Sequence, residues 1–281
     1  MAKILLMSLG SRGDMEPFLA LGEELIEQGH EIACCMPAQF ESSALELTPH
    51  FFAEHKSFIQ LIEGPEIKKI LGQDGSGFSR LLTIFKLMNQ VKSVQQQMIE
   101  DQERAVKNFK PDQIIFHIKC IYPVIWALRF KGKVKLLSPM PALLDPIKDI
   151  PHVGFGKAGF KAWNLMTYKL AEYALIRQSI LGYGKSFLKK NQIKISLKEL
   201  KTFYRKTLKV EYSISEELFS RPIYWPERAE ITRFRERKKH PYTPSTELKQ
   251  FLKDHPNPLY IGFGSMLNAH PKQIALDVLT V

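Results

Sequence analysis

Cysteine is scarce: three in 281 residues, Cys34, Cys35 and Cys120. Two of the three are adjacent, so neither a disulfide framework nor a four-ligand zinc site can be assembled from them. The expectation is buried free thiols in a reducing compartment. Long apolar runs are missing as well. The opening MAKILLMSLGSRGD has one early lysine and an apolar run only from Ile4 to Met7, shorter than the roughly 7–15 residues of a signal peptide. No window approaches the roughly 18 apolar residues of a membrane span. Together these predict a soluble, cytoplasmic protein. Two phosphate-binding signatures are also absent. The first glycine loop reads Gly10-x-x-Gly13 with no third glycine before Pro17, and the next strand ends in Cys34-Cys35-Met36 with no acidic residue to hold a ribose. No Gly-Lys-Ser/Thr follows either, so a nicotinamide dehydrogenase and a Walker-type nucleotidase are both set aside. Acidic residues, finally, are nearly missing from one window. Residues 151–210 hold 13 basic and two acidic side chains, and the remainder of the chain is balanced, so the whole formal charge of +11 sits there.

What is present is an alternation of strands and helices. Lys3 to Leu9 reads as a short apolar strand, broken by Gly10-Ser11-Arg12-Gly13-Asp14. Pro17 then opens a helix whose apolar face is Phe18, Leu19, Leu21, Leu25 and Ile26. Gly29 ends that helix, and Glu31 to Met36 is the next strand. This is a βαβ unit, which implies a parallel sheet. Phe78 to Phe109 is a long helical stretch with a core-facing stripe from Leu81 to Phe109. Gln113–Phe116, Ile121–Phe130 and Val134–Leu137 read as strand, helix and strand, so the fold class is α/β with a Rossmann-like parallel sheet. Ser138 to Gly159 is rich in proline and glycine, the composition of a functional or mobile loop. Helical patterning resumes over about Phe160–Lys190. Arg228 to Pro258 is polar and reads as a solvated linker around one short helix, Ser245–Lys253, with Arg233, Arg235, Arg237, Lys238 and Lys239 interleaved with Glu230 and Glu236. Leu259 to Gly264 is a fresh apolar strand.

Several residues admit both a bland and a chemical reading. Asp14, just past the first strand, is either a first-turn carboxylate that caps the helix or a general base at the carboxyl edge of the sheet. His117 ends a strand facing the same cleft and is either a satisfied structural histidine or an acceptor contact and partner of the base. His152, in the Pro/Gly-rich loop, is a candidate acceptor contact. Lys119 reads as solvated. The basic window carries Phe155, Phe160, Trp163, Tyr168 and Tyr173. It is either a solvated face, a nucleic-acid surface without any recognised motif, or a cationic amphipathic surface for anionic lipid.

The segment Gly10-Ser11-Arg12-Gly13-Asp14-Met15-Glu16-Pro17-Phe18-Leu19-Ala20-Leu21-Gly22 resembles the opening of the GT-B glycosyltransferases. The similarity is to the branch of sterol glucosyltransferases and glycopeptide-antibiotic glycosyltransferases, with a family 28 type N-terminal domain. Pro111–Lys119, Ser138-Pro139-Met140-Pro141, Trp225-Pro226, Phe234–Arg237 and Leu259–Met266 resemble later segments of that branch, in the right order. Arg233 stands where the branch has glycine. The resemblance implies an N-terminal acceptor-binding Rossmann-like domain over 1–225, an interdomain linker over 226–257 and the start of an incomplete second Rossmann-like domain over 258–281. The branch's main nucleotide-sugar site, a His-Gly-Gly-rich loop and an Asp-Gln pair, would follow residue 281, so the chain is expected to be a fragment.

The reaction implied is inverting transfer of a hexose from a nucleotide sugar, with UDP-glucose the expected donor, to a hydroxyl of a sterol, lipid or polyketide-like acceptor. Asp14 would be the base; plant-type relatives place a histidine in this loop, and none lies between Met1 and Gln28. Ser11, Arg12 and Gly13, with Gly264 and Ser265, would meet the leaving diphosphate. His117, Met140 and His152 would meet the acceptor. The donor is a substrate, and no cofactor, metal or nucleic acid is expected. Peripheral contact with an anionic membrane is a further expectation. The alternative function is a non-catalytic acceptor- or membrane-binding module.

Overall fold

The computed structural model describes residues 1–54, 77–141, 143–152, 155, 159–238, 242–262 and 271–279; the side chains of 77–92, 178 and 271 are outside that description. Its centre is a seven-stranded, all-parallel sheet in the order β3-β2-β1-β4-β5-β6-β7. The strands are β1 Lys3–Met7, β2 Glu31–Pro37, β3 Phe51–Glu54, β4 Gln113–Phe116, β5 Lys133–Ser138, β6 Lys209–Ser213 and β7 Ala229–Thr232. Helices cover both faces. Alternation along β1 divides the core: Ile4 and Leu6 join Phe18, Leu19 and Leu21 of helix α1 (Arg12–Glu27), whereas Leu5 and Met7 join Met98, Ile99 and Phe109 of the long helix Gly77–Phe109. Within that long helix the expected stripe packs inward at Val94, Met98, Ala105 and Phe109; its members before residue 93 lie outside the described side chains. All three cysteines are free and buried, as the composition predicts, and burial pushes the Cys34 thiol up to about 12.

The first helix begins five residues earlier than its proline. Ser11 is the N-cap, in an extended conformation, and the Asp14 carboxylate reaches back to accept from its amide N–H at 2.8 Å. That arrangement starts the helix at Arg12, and Pro17 falls inside it. There Pro17 only withholds the N–H that would have met the Gly13 carbonyl.

The Pro/Gly-rich loop after β5 is anchored where it is described. The Tyr212 hydroxyl donates to Asp145 Oδ2 at 2.9 Å, Arg228 pairs with Asp145 at 2.6 Å, and Trp225 Nε1 donates to the Pro146 carbonyl at 2.8 Å.

The polar stretch after Pro226 also departs from expectation. It contains β7, and the charges that follow are paired rather than solvated. Arg235 lies between Glu24 and the buried Glu211; Arg237 reaches Glu23 and Glu46; Arg233 meets Glu24 at 2.8 Å. The acidic tail of α1 neutralises them, which alternation of sign along the sequence could not reveal. The short helix of this region is Thr246–Asp254, capped by Ser245 and exposed throughout. Leu259–Gly262 is exposed and pairs with no strand among the described residues. The rest of that expected strand lies outside the described residues.

Candidate functional site

The strand order reverses direction between β1 and β4, since β1 leads outward to β2 and β3 while β4 leads to β5, β6 and β7. Loops that leave the carboxyl ends of two such strands diverge and open a crevice, the usual ligand site of an open parallel sheet. The β1 loop delivers Asp14 and the β4 loop delivers His117 and Lys119. The His117 amide N–H donates to the Met7 carbonyl at 2.9 Å and sews the two strand ends together.

Asp14 is the hub. Its Oδ2 accepts from the Ser11 amide at 2.8 Å, the Ser11 hydroxyl at 3.3 Å and Lys119 Nζ at 3.2 Å. Its Oδ1 faces His117 Nε2 at 3.4 Å and has no other partner among the described residues. The side chain keeps 14% of its surface exposed, against 4% for His117. Burial, and then the Lys119 charge, depress the His117 pKa to about 4 despite Asp14. The imidazole is therefore neutral near pH 7. Its Nδ1 accepts the Lys119 amide N–H at 3.4 Å, which puts the proton on Nε2, toward Asp14. Gly10 makes this packing possible. Its φ is +142°, and a Cβ there would stand 2.0 Å from Asp14 Oδ2 and 2.7 Å from Lys119 Nζ. Gly13 needs no such freedom: a Cβ on it would meet only Ser11 Oγ, at 3.9 Å.

The capping reading of Asp14 is seen directly, through Oδ2, while Oδ1 faces His117. His117 is buried and structural, and also touches Asp14. Lys119, read as solvated, is instead the second ion partner of Asp14 and the link to a cavity of about 420 Å³. That cavity is walled by Ile118, Leu143, Leu144, Tyr168, Leu175 and His152, among others. His152 is held in place by a 3.0 Å bond from Nε2 to the Leu143 carbonyl and by edge contacts with Phe155 and Tyr168; burial lowers its pKa. Of the three expected acceptor contacts, His152 lines this cavity. His117 sits behind Lys119, and Met140 stands at the end of β5, 41% exposed and outside the cavity lining. Ser11 borders Asp14, while Arg12 turns outward to pair with Glu16 at 2.8 Å. Gly264 and Ser265 lie outside the described residues. Among the described residues no cluster of His, Cys, Asp or Glu could hold a metal. Lys119 and Tyr168 were missed as site residues: the strand order brings Lys119 beside Asp14, and Tyr168 reaches the cavity from helix Lys161–Ala174.

Parts of the sequence, and the fold, are similar to known glycosyltransferases. Residues 4–116, which span β1 to β4 and hence both sides of the crevice, match the glycosyltransferase family 28 N-terminal domain. The chain is 23% identical over 99% of its length to a sterol 3-beta-glucosyltransferase of Arabidopsis thaliana, covering 45% of that protein. It is 32% identical over 94 residues, 34% of its length, to an uncharacterized glycosyltransferase of Mycobacterium leprae, covering 20% of that protein. The chain therefore spans less than half the length of these relatives. Among solved structures, the calicheamicin glycosyltransferase CalG4 superposes with a TM-score of 0.53 at 13% identity, over 83% of this chain and 53% of that one, which is a likeness of fold. Residues 4–116 are thus similar to a glycosyltransferase family 28 N-terminal domain, and the Rossmann-like sheet that holds them has the fold of GT-B glycosyltransferases.

Proposed function

We propose that this chain supplies the acceptor site and the general base of an inverting glycosyltransferase. An acceptor hydroxyl attacks the anomeric carbon of a nucleotide sugar. Its proton passes to Asp14 Oδ1, the new glycosidic bond forms, and the bond to the nucleoside diphosphate breaks with its electrons on the leaving phosphate. A hydroxyl needs such a base within about 2.6–3.2 Å of its proton. What supports Asp14 in that role is that Ser11 and Lys119 engage Oδ2, leaving Oδ1 as the oxygen to take the proton. Neutral His117, with its proton on Nε2, orients that oxygen. The growing charge on the diphosphate would be met by Ser11 and Gly13 at the N-terminus of α1, and by Arg12 once it leaves Glu16; Gly264 and Ser265 are the further expected contacts. UDP-glucose is the expected donor.

The observation that carries this reading is the contact of Asp14 with Lys119, which joins the base to a largely apolar cavity. A cavity of that lining suits a sterol, lipid or polyketide-like alcohol. The name of the Arabidopsis relative points the same way. The experiment is transfer from radiolabelled UDP-glucose to a sterol by residues 1–281 joined to a donor-binding domain, with Leu144→Trp filling the cavity. Transfer that Leu144→Trp abolishes supports the reading. Sterol binding without transfer in any such pairing supports a non-catalytic acceptor-binding module instead.

Contact with an anionic membrane belongs to the same proposal, on the cytoplasmic side. No described helix is long and apolar enough to cross a bilayer. The outer face of helix Lys161–Ala174, however, exposes Met166, Leu170 and Tyr173 beside Lys169, with Phe160 preceding it, and Leu170 also lines the cavity. Co-sedimentation with anionic vesicles that weakens as salt rises, and is far weaker with neutral vesicles, is the expected result; equal binding to both contradicts it.

A further inference from the structure

A second cavity opens at the opposite edge of the sheet. It has a volume of about 760 Å³, larger than the one beside Lys119, and lies at the amino ends of β4, β5 and β6, where Gln113, Lys133 and Lys209 begin their strands. Asp14 and His117 are at the carboxyl ends, about 13 Å away along β4 at roughly 3.3 Å per residue. The two sites therefore share the sheet and no residue.

The lining has two components. The floor is apolar: Phe203 and Leu208 are buried, and Val134, Ala127 and Leu128 surround them. The rim is cationic, with Lys131, Lys133, Lys198 and Lys209, none of which meets a carboxylate among the described residues. The one acidic residue of the lining, Glu199, is already engaged. It accepts from Arg129 at 2.8 Å and from the Ser196 amide at 2.7 Å. Elsewhere in this protein basic side chains on the sheet's border are neutralised, as Arg233, Arg235 and Arg237 are by Glu23, Glu24 and Glu46. Four unmatched ammonium groups around an apolar hollow of drug-like size are complementary to a molecule that is apolar in its body and anionic at one end.

We propose that this cavity is a separate ligand site for an amphiphilic organic anion, a carboxylate, sulfonate or phosphate on a flat or aliphatic body. The body lies on Phe203, Leu208 and Val134, and the acidic group meets Lys133 and Lys209 with Lys131 and Lys198 beside them. The proposal is independent of glycosyl transfer and its test needs no donor or acceptor.

The probe is anilinonaphthalene sulfonate, followed by its fluorescence, against the uncharged analogue phenylnaphthylamine. The sulfonate should bind about tenfold tighter than the neutral dye, and added salt should erode that margin. The surface double variant K133E/K209E should lose about tenfold in sulfonate affinity and leave the neutral dye unchanged. Thr202→Trp, which fills the cavity, should abolish the tight, salt-sensitive binding of the sulfonate, and Leu144→Trp in the other cavity should leave that binding intact. Equal affinity for the two dyes, or undiminished sulfonate binding by K133E/K209E, would overturn the proposal.

Discussion

Replacing Gly10 by alanine puts a methyl group where the site keeps its carboxylate. The backbone there has φ +142°, which an L side chain adopts only with strain of about 1–3 kcal/mol. The added Cβ would lie 2.0 Å from Asp14 Oδ2 and 2.6 Å from Asp14 Cγ, so the carboxylate must swing away. In doing so it releases the Ser11 amide and Lys119, and a lost N-terminal cap contributes about 1 kcal/mol. The expected destabilisation is about 2–4 kcal/mol, or a fall in melting temperature of roughly 5–15 °C for a domain of this size. Gly13, three residues on, is the control. It is already helical and has only Ser11 Oγ within reach of a Cβ, at 3.9 Å. Gly13→Ala should therefore raise stability by about 0.5–1 kcal/mol, the ordinary helix preference for alanine. Two glycines of one motif thus respond with opposite sign. Thermal melts of the two variants beside the parent decide the matter. A Gly10→Ala protein that melts within about 1 °C of the parent, on the same scale, would refute the packing argument around Asp14.

Glu54 is buried, its Oε2 has no hydrogen-bond partner among the described residues, and burial pushes its pKa up to about 8. The folded state therefore holds a proton that the unfolded state releases between pH 4.5 and 8, and stability falls as pH rises through that window; Glu54→Gln should flatten the fall and add up to about 3 kcal/mol at pH 7 in denaturant titrations. His117 has the opposite sign. With its folded pKa near 4 against 6.5, stability should fall as pH drops from 6.5 toward 4, and His117→Asn should remove that portion of the acid sensitivity. Arg235→Met would leave the buried Glu211 with Lys135 as its one cation among the described residues, beside the Thr232 hydroxyl, and should lower stability by about 3 kcal/mol in the same titrations.

The parts of this structure legible in the sequence are those governed by local pattern. β1, β2, β4 and β5 show themselves as apolar runs between punctuating residues, and the alternation with helices implied the parallel sheet. β3, β6 and β7 did not show. Lys209–Ser213 alternates charged and apolar residues because Glu211 is buried against Lys135 and Arg235, and no single strand announces such pairing. The arginines after β7 looked solvated for the same reason, since their partners lie some two hundred residues earlier on α1. In the site, Asp14 was legible from its place after a strand and a glycine turn. Its link to the cavity was not, because Lys119 reaches it across 105 positions of sequence, through the strand order alone.

The central claim is that Asp14 takes the proton of the acceptor hydroxyl. Its most direct test is the transfer rate of Asp14→Asn, in residues 1–281 joined to a donor-binding domain, measured beside a thermal melt. Asparagine retains an oxygen for the Ser11 amide, so the fold should survive within the roughly 0.5–2 kcal/mol worth of a helix cap. Turnover should fall by about 10²–10⁴, the usual contribution of a positioned base. A folded Asp14→Asn protein that transfers sugar at near the parental rate would contradict the account and leave Asp14 as a cap alone.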